Sequence, residues 1–321
     1  DVAGQEVAKR ALEIAAAGGH NVLLTGPPGS GKTMLARRLT GILPPLSETE
    51  ALQIIAIASV AGTLTDDLLT DPRRPFRAPH HTTSAAGLIG GGSPPRPGEV
   101  SLAHHGVLFL DEMLEFPRHI LDGLRQPMED GHVVIARAAS AVRFPASFSL
   151  VAATNPCPCG NAGNPRGVCT CTPMDARRYR ARLSGPLADR IDLHVQVPSL
   201  PLAELSGGAP GESSSLVRER VAAAHARQAA RYARLSRARR NAHVPGRWID
   251  SHTPVHADAR AVLLRASTRL ALSARGYHRV LKVARTIADL DGQLEIGPAQ
   301  VSEALQFRPC AAEVIAAGAS G

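Results

Sequence analysis

An α/β architecture, with a parallel sheet covered by helices on both faces and a small all-helical domain after it, is what this 321-residue sequence predicts. Three observations carry the prediction. Residues 1–198 alternate short apolar runs with segments of helical period, as an open parallel sheet requires. The runs at 21–25, 106–110 and 149–153 are largely apolar rather than alternating, the pattern of strands buried on both faces. Beyond a stretch rich in Pro, Gly and Ser, the rest of the chain reads as helical.

The first run leads into Gly26-Pro27-Pro28-Gly29-Ser30-Gly31-Lys32-Thr33, and residues 34–39 continue at helical spacing. Strand, glycine loop and helix in that order are the context of a Walker A phosphate loop. Glycines let successive N–H groups curl around phosphate oxygens at a helix N-terminus. Lys32 is expected to reach the β and γ oxygens and the Thr33 hydroxyl to take a position on Mg2+, so a nucleoside triphosphate is the expected ligand. A loop retained only for its shape is the alternative, and the flanking strand and helix count against it.

The second run ends in Asp111-Glu112. Two acids after an apolar strand are commonly just a solvated strand end, but downstream of a phosphate loop they read as a Walker B pair. Asp111 would hold Mg2+ and Glu112 would polarise the attacking water. The third run ends in Thr154-Asn155, where Asn155 can meet the γ-phosphate or that water; a lone Asn there is otherwise a turn former.

Length suffices for about two domains, and 44% hydrophobic content supplies a core. No run of about 18 apolar residues and no leader-like opening occurs, so no membrane segment and a cytoplasmic location are expected. The chain opens at Asp1 rather than Met, which suggests a piece of a longer protein. A net charge of +8 favours a polyanionic partner. Only three of the 36 basic residues are Lys, which a GC-rich genome would also produce. With 3% aromatic residues, a base-stacking platform is disfavoured and contacts to DNA would run through phosphates.

Within residues 1–198, two insertions are expected. The first, about 76–100, is too rich in Gly and Pro for a helix interior and reads as a protruding loop or hairpin. The second, about 129–145, reads as a hairpin carrying Arg137 near its tip, where a DNA backbone could pass; an incidental solvated charge is the alternative. Residues 199–215 read as a linker and 216–321 as a helical lid, with helices at 258–270, 273–290 and 298–307. In the helix after the linker, Arg220, Arg227, Arg231 and Arg234 form a stripe read as a solvated basic face.

Four of the five cysteines cluster as Cys157, Cys159, Cys169 and Cys171. Four thiolates can close a tetrahedral Zn2+ site, although C-x-C pairs are less specific than C-x-x-C; disulfides or free thiols are the alternatives. Placed directly after Asn155, such a metal would staple a loop rather than catalyse. His80-His81 and His104-His105 are adjacent pairs, and in an extended segment neighbours point to opposite sides, so joint metal binding is not expected; hydrogen bonding within the insertions, or contact with a neighbouring subunit, is.

These motifs together resemble the AAA+ superfamily, specifically the magnesium-chelatase-like branch that contains the ComM/YifB proteins. Phe-Arg-Ala-Pro-His-His-Thr-Thr at 76–83 and Ala-Thr-Asn-Pro-Cys-Pro-Cys-Gly at 153–160 carry the resemblance more specifically than any Walker motif, and matching segments run through 26–33, 97–115, 184–197 and 273–290. The resemblance implies a P-loop NTPase αβα sandwich with a helical lid, using ATP and Mg2+ at sites shared between subunits of a homo-hexamer. Arg190, in Gly185-Pro186-Leu187-Ala188-Asp189-Arg190, matches the arginine finger. Arg275 matches the lid's sensor arginine, with Arg279 as runner-up, and Asn155 matches the first sensor. The two insertions match those that line the pore. ComM-type members resemble hexameric helicases that drive branch migration of DNA in natural transformation, and they carry an additional N-terminal domain of Lon-protease-like fold.

Two further function classes compete. A remodelling or chelatase-like motor would act on a protein partner; the chain has no acidic or metal-binding tail to suit one. A nucleotide-gated scaffold would not need Glu112 or Arg190.

Overall fold

The computed structural model describes residues 2, 4–137, 140–165, 167–200, 211–235 and 239–309. Its strands are β1 (Val22–Thr25), β2 (Phe76–Arg77), β3 (Gly90–Gly91), β4 (Arg96–Pro97), β5 (Val107–Leu110), β6 (His132–Arg137), β7 (Ser140–Pro145), β8 (Ser149–Thr154) and β9 (Leu193–Gln196). The central sheet has the order β2-β5-β8-β1-β9 with every pairing parallel. The chain leaves β1 for the β2 edge, returns through β5 and β8, then crosses to β9 on the far side of β1. Strand order therefore reverses beside β1, and a crevice opens at the carboxyl ends of β1 and β8, where α/β sheets bind ligands.

Period-two alternation of apolar side chains splits the core into two layers. Val22, Leu24, Val107, Phe109, Val151 and Ala153 face helices Glu6–Gly18 and Lys32–Ile42 and, beyond them, the C-terminal helices. Leu23, Leu108, Leu110, Leu150 and Ala152 face the helices Glu99–Leu102 and Arg118–Gly123 and the β6–β7 hairpin. Both faces being covered explains why these strands read as apolar runs.

The β6–β7 pairing is antiparallel, from His132 opposite Pro145 to Arg137 opposite Ser140. The Arg137 side chain lies outside the described residues, as do residues 201–210 and Cys310. The earlier insertion departs from expectation. Alongside the small β3–β4 pair it holds a short helix, Ala85–Ile89, in a region read as loop, and the Ser84 hydroxyl starts that helix by accepting from Gly87 N–H (3.1 Å). Local capping outweighs a glycine's helix cost of about 1 kcal/mol.

C-terminal helices Ser214–Arg231, Gly246–His252, Ala257–Arg269, Ala274–Leu290 and Pro298–Gln306 form the helical part. Expectation fails for half of the arginine stripe of the first. Arg220 pairs with Glu13 (2.6 Å) and Glu212, and Arg231 makes a fork to Asp289 (2.9 and 2.5 Å), a fully buried carboxylate. Arg220 and Arg231 are thus part of the packing, held by Glu13 and Asp289 from distant segments, whereas Arg227 and Arg234 are exposed, as a solvated basic face requires. The fully buried His20 joins the two parts: Nδ1 lies 3.1 Å from Asp192 and Nε2 lies 2.8 Å from the Thr286 hydroxyl.

The histidine pairs also correct the expectation. Rings of His80 and His81 lie 4.1 Å apart, and those of His104 and His105 lie 3.8 Å apart, so neighbours share a side. His105 has φ 58°, and the left-handed residue breaks the extended geometry that would have opposed them. His104 and His105 both meet Gln53 Oε1, at 3.3 and 2.6 Å.

Candidate nucleotide site

Lys32, Thr33, Asp111, Glu112 and Asn155 converge on one cavity of about 350 Å³ at the carboxyl ends of β1, β5 and β8. Pro28, Gly29, Ser30 and Gly31 form its floor. Gly29 (φ 74°) and Gly31 (φ 91°) take left-handed conformations that turn the loop back into the helix starting at Lys32. Gly26 has no room for a side chain, since a Cβ would lie 2.2 Å from the Val197 carbonyl oxygen of the adjoining strand end. A larger cavity of about 640 Å³ lies between residues 54–77 and 101–104 and contains none of these groups.

Within the site, Lys32 Nζ donates to the carbonyl oxygens of Gly26 (2.7 Å) and Pro27 (2.9 Å). Burial pushes its ammonium below the ordinary lysine value, while Asp111 and Glu112 pull it back up. The Thr33 hydroxyl donates to Asp111 Oδ2 (2.7 Å), so the two residues expected to share a Mg2+ ion already face each other. The Ser30 hydroxyl is buried without a protein partner, which fits a loop built to meet phosphate oxygens. The oxygen donors of Thr33 and Asp111 suit a hard divalent ion.

Glu112 has φ 49°, a left-handed conformation costing about 1–2 kcal/mol for a residue with a Cβ. That turn carries Glu112 out from the end of β5 instead of continuing the strand. His81 Nδ1 lies 3.8 Å from Glu112 Oε2, bringing the first insertion to the edge of the cavity. Sequence reasoning missed this contact; the histidines were weighed as metal ligands or as hydrogen-bonding groups of the insertions, never as neighbours of Glu112.

Arg190 and Arg275 do not line the cavity and stand together elsewhere. Arg190 donates to Glu129 Oε2 (2.5 Å) and to the Pro186 carbonyl oxygen (2.6 Å), while Arg275 lies 3.5 Å from Glu129 Oε1. Arg279 is buried against Asp189 (2.9 Å) and the Ile191 carbonyl oxygen (3.3 Å), which leaves Arg275 as the more exposed cation of the two.

The cysteines follow directly. Cys157 is buried, and its Sγ lies 3.4 Å from that of Cys159 and 3.8 Å from that of Cys169; Cys159 and Cys169 are 3.7 Å apart. All four sulfur atoms fall within 4.8 Å of one another, and all four are free thiols.

A parallel sheet in this strand order, with a phosphate loop after β1 and an acidic pair after β5, defines a P-loop nucleotide-binding domain of the AAA+ class. The magnesium chelatase subunit ChlI family matches residues 1–205, and the C-terminal domain of the same subunit matches residues 211–308. The chain belongs to this family, in its ComM-like group. It is 49% identical over 310 residues to the uncharacterized protein YifB of Salmonella typhimurium, covering 96% of this chain and 60% of that protein. It is 47% identical over 311 residues to the competence protein ComM of Haemophilus influenzae, covering 96% and 59%. Similarity extends to the magnesium-chelatase 38 kDa subunit of Rhodobacter capsulatus at 28% over 171 residues, covering 48% and 49%. The chain thus spans about three fifths of the length of the curated YifB and ComM relatives. No helix among the described residues is long and apolar enough to cross a membrane.

Proposed function

We propose that this chain is the motor of an ATP-driven DNA translocase, assembled as a homo-hexameric ring and promoting branch migration of recombining DNA in natural transformation. The convergence of Lys32, Thr33, Asp111, Glu112 and Asn155 in one cavity is the observation that carries the ATPase part of the reading. The positive net charge and the similarity to a competence protein support DNA as the partner. A structural Zn2+ in the four-cysteine cluster belongs to the same reading.

Lys32 holds the β and γ phosphates and withdraws charge from the bond that breaks. Glu112 orients water for in-line attack, and Asn155 fixes that water or the γ-phosphate from the end of the adjacent strand β8. Mg2+, held by Thr33 and Asp111, would neutralise charge on the phosphate oxygens. Arg190 and Arg275 stand away from this cavity, so in a ring they would serve a neighbouring subunit's nucleotide, where a finger arginine contributes about 10³–10⁵ in rate.

The full-length protein tests the reading directly. ATP hydrolysis should rise on adding branched DNA, and DNA affinity should fall steeply as salt increases. Hydrolysis indifferent to DNA would favour the second reading, a remodelling motor acting on a protein partner, which the likeness to a magnesium-chelatase subunit supports.

A further inference from the structure

We infer that the four cysteines form a tetrahedral zinc clamp that sets the geometry of the nucleotide site, so that loss of the metal weakens nucleotide binding. This rests on the reading of the adjoining cavity as an ATP site.

Metal geometry comes first. Zinc–thiolate bonds of about 2.3 Å in a tetrahedron place sulfur atoms about 3.8 Å apart. The separations among Cys157, Cys159 and Cys169, 3.4, 3.7 and 3.8 Å, lie near that edge, the Cys171 sulfur is within 4.8 Å of each, and none approaches a disulfide bond of about 2.05 Å. Backbone N–H groups of Ala162 and Cys159 donate to the sulfurs of Cys157 (3.3 Å) and Cys171 (3.4 Å), the outer hydrogen bonding that tetrathiolate sites use to stabilise negative sulfur. A soft all-sulfur set selects zinc over the hard magnesium ion of the neighbouring site.

Coupling to the nucleotide site runs through three contacts. Cys157 lies two residues beyond Asn155, at the end of β8. Gly160, in the turn closed by its N–H to the Cys157 carbonyl oxygen (3.0 Å), sits on the Pro28 ring of the phosphate loop: a Cβ there would lie 2.7 Å from Pro28 Cδ. At the other end, Cys171 runs into helix Pro173–Arg180, opened by Thr172 accepting from Asp175 N–H (3.1 Å), and the buried Tyr179 on that helix approaches the Thr154 side chain, whose hydroxyl donates to the Asn155 carbonyl oxygen (3.2 Å). The fifteen-residue segment from Cys157 to Cys171 therefore has both ends anchored at the tip of β8 and its turn pressed on the phosphate loop. Drawing the four sulfurs onto one ion fixes all three.

Full-length protein purified without chelators should contain about one zinc per chain. Cys169 is exposed, so Cys169→Ser removes a ligand with little loss of packing; it should lose zinc and bind a fluorescent ATP analogue about tenfold more weakly, and Cys169→His should restore both. Gly160→Ala should keep zinc yet bind the nucleotide more weakly, because its Cβ displaces Pro28. Absence of zinc from the wild type, or iron in its place, overturns the metal site. A zinc-free, folded Cys169→Ser protein with wild-type nucleotide affinity overturns the coupling. Wild-type protein that holds zinc but binds no nucleotide instead removes the ATP reading on which the coupling stands.

Discussion

Arg190 is held by Glu129: one guanidinium nitrogen donates to the carboxylate at 2.5 Å, and the other oxygen of Glu129 faces Arg275 at 3.5 Å. Two cations from segments 85 residues apart, one before β9 and one in the first turn of helix Ala274–Leu290, are thereby presented as a pair. If they complete a neighbour's site, two defective chains should repair each other. Arg190→Ala and Glu112→Gln proteins should each hydrolyse ATP at least 100-fold more slowly than wild type, while a mixture of the two should regain turnover at interfaces that pair an intact Glu112 with an intact Arg190. Mixed rings that stay inactive at every ratio would place Arg190 outside the shared site.

Glu112 separates activity from stability. Glu112→Gln should bind ATP and stall, with stability near wild type. Glu112→Gly should be equally inactive yet about 1 kcal/mol more stable to urea, because glycine accepts the φ of 49° without strain. Lys32→Ala should instead lose nucleotide binding, read by fluorescence titration.

His81 should affect turnover more than affinity. Its ring lies 3.8 Å from Glu112, so His81→Ala should lower kcat several-fold with little change in nucleotide Kd. An unchanged kcat would show the contact to be incidental.

Stability should fall with mild acid. Burial holds His104 and His225 down to about 3, and His194 and His243 down to about 4, all below the ordinary value of 6.5. Below pH 6.5 the unfolded chain takes up protons on these residues that the folded chain refuses, so each lowers stability by up to about 1.4 kcal/mol per pH unit until its folded value is reached. Urea midpoints should be flat above pH 7 and decline clearly between pH 6.5 and 5. His225→Gln should flatten that decline.

Asp289 is the keystone of the helical part. It is fully buried and takes Arg231, Arg285 (3.1 Å) and Asn241 (2.9 Å) at once. Asp289→Ala leaves buried guanidinium groups uncompensated and should cost about 3–5 kcal/mol in chemical unfolding.

Much of this molecule is legible in one dimension. The phosphate loop, the runs that became β1, β5 and β8, and the helices near 258–307 all follow from patterns within a few residues, since strand burial and helix capping are local. The edge strand β2 escaped because two residues, Phe76 and Arg77, pair with β5 only by a long return of the chain. Arg220 and Arg231 were misread as solvated for the same reason: nothing near them announces Glu13 or Asp289. Neither the Gly160–Pro28 packing nor the His81–Glu112 approach leaves a mark in sequence, since each joins segments that only the fold brings together.

The amino-acid order by itself determined the chemistry on offer: a phosphate loop, an acidic pair, a polar residue after a third strand, and four thiols. Tertiary structure alone decided which of these meet. Parallel pairing around β1 brings three strand ends to one crevice, and the positive φ of Glu112 turns it out from the end of β5. Long-range contacts then hold Arg190 with Arg275 outside the crevice and the cysteines against its wall. Residue types are encoded locally, whereas distances between remote segments are set by the burial and hydrogen bonding of the whole chain.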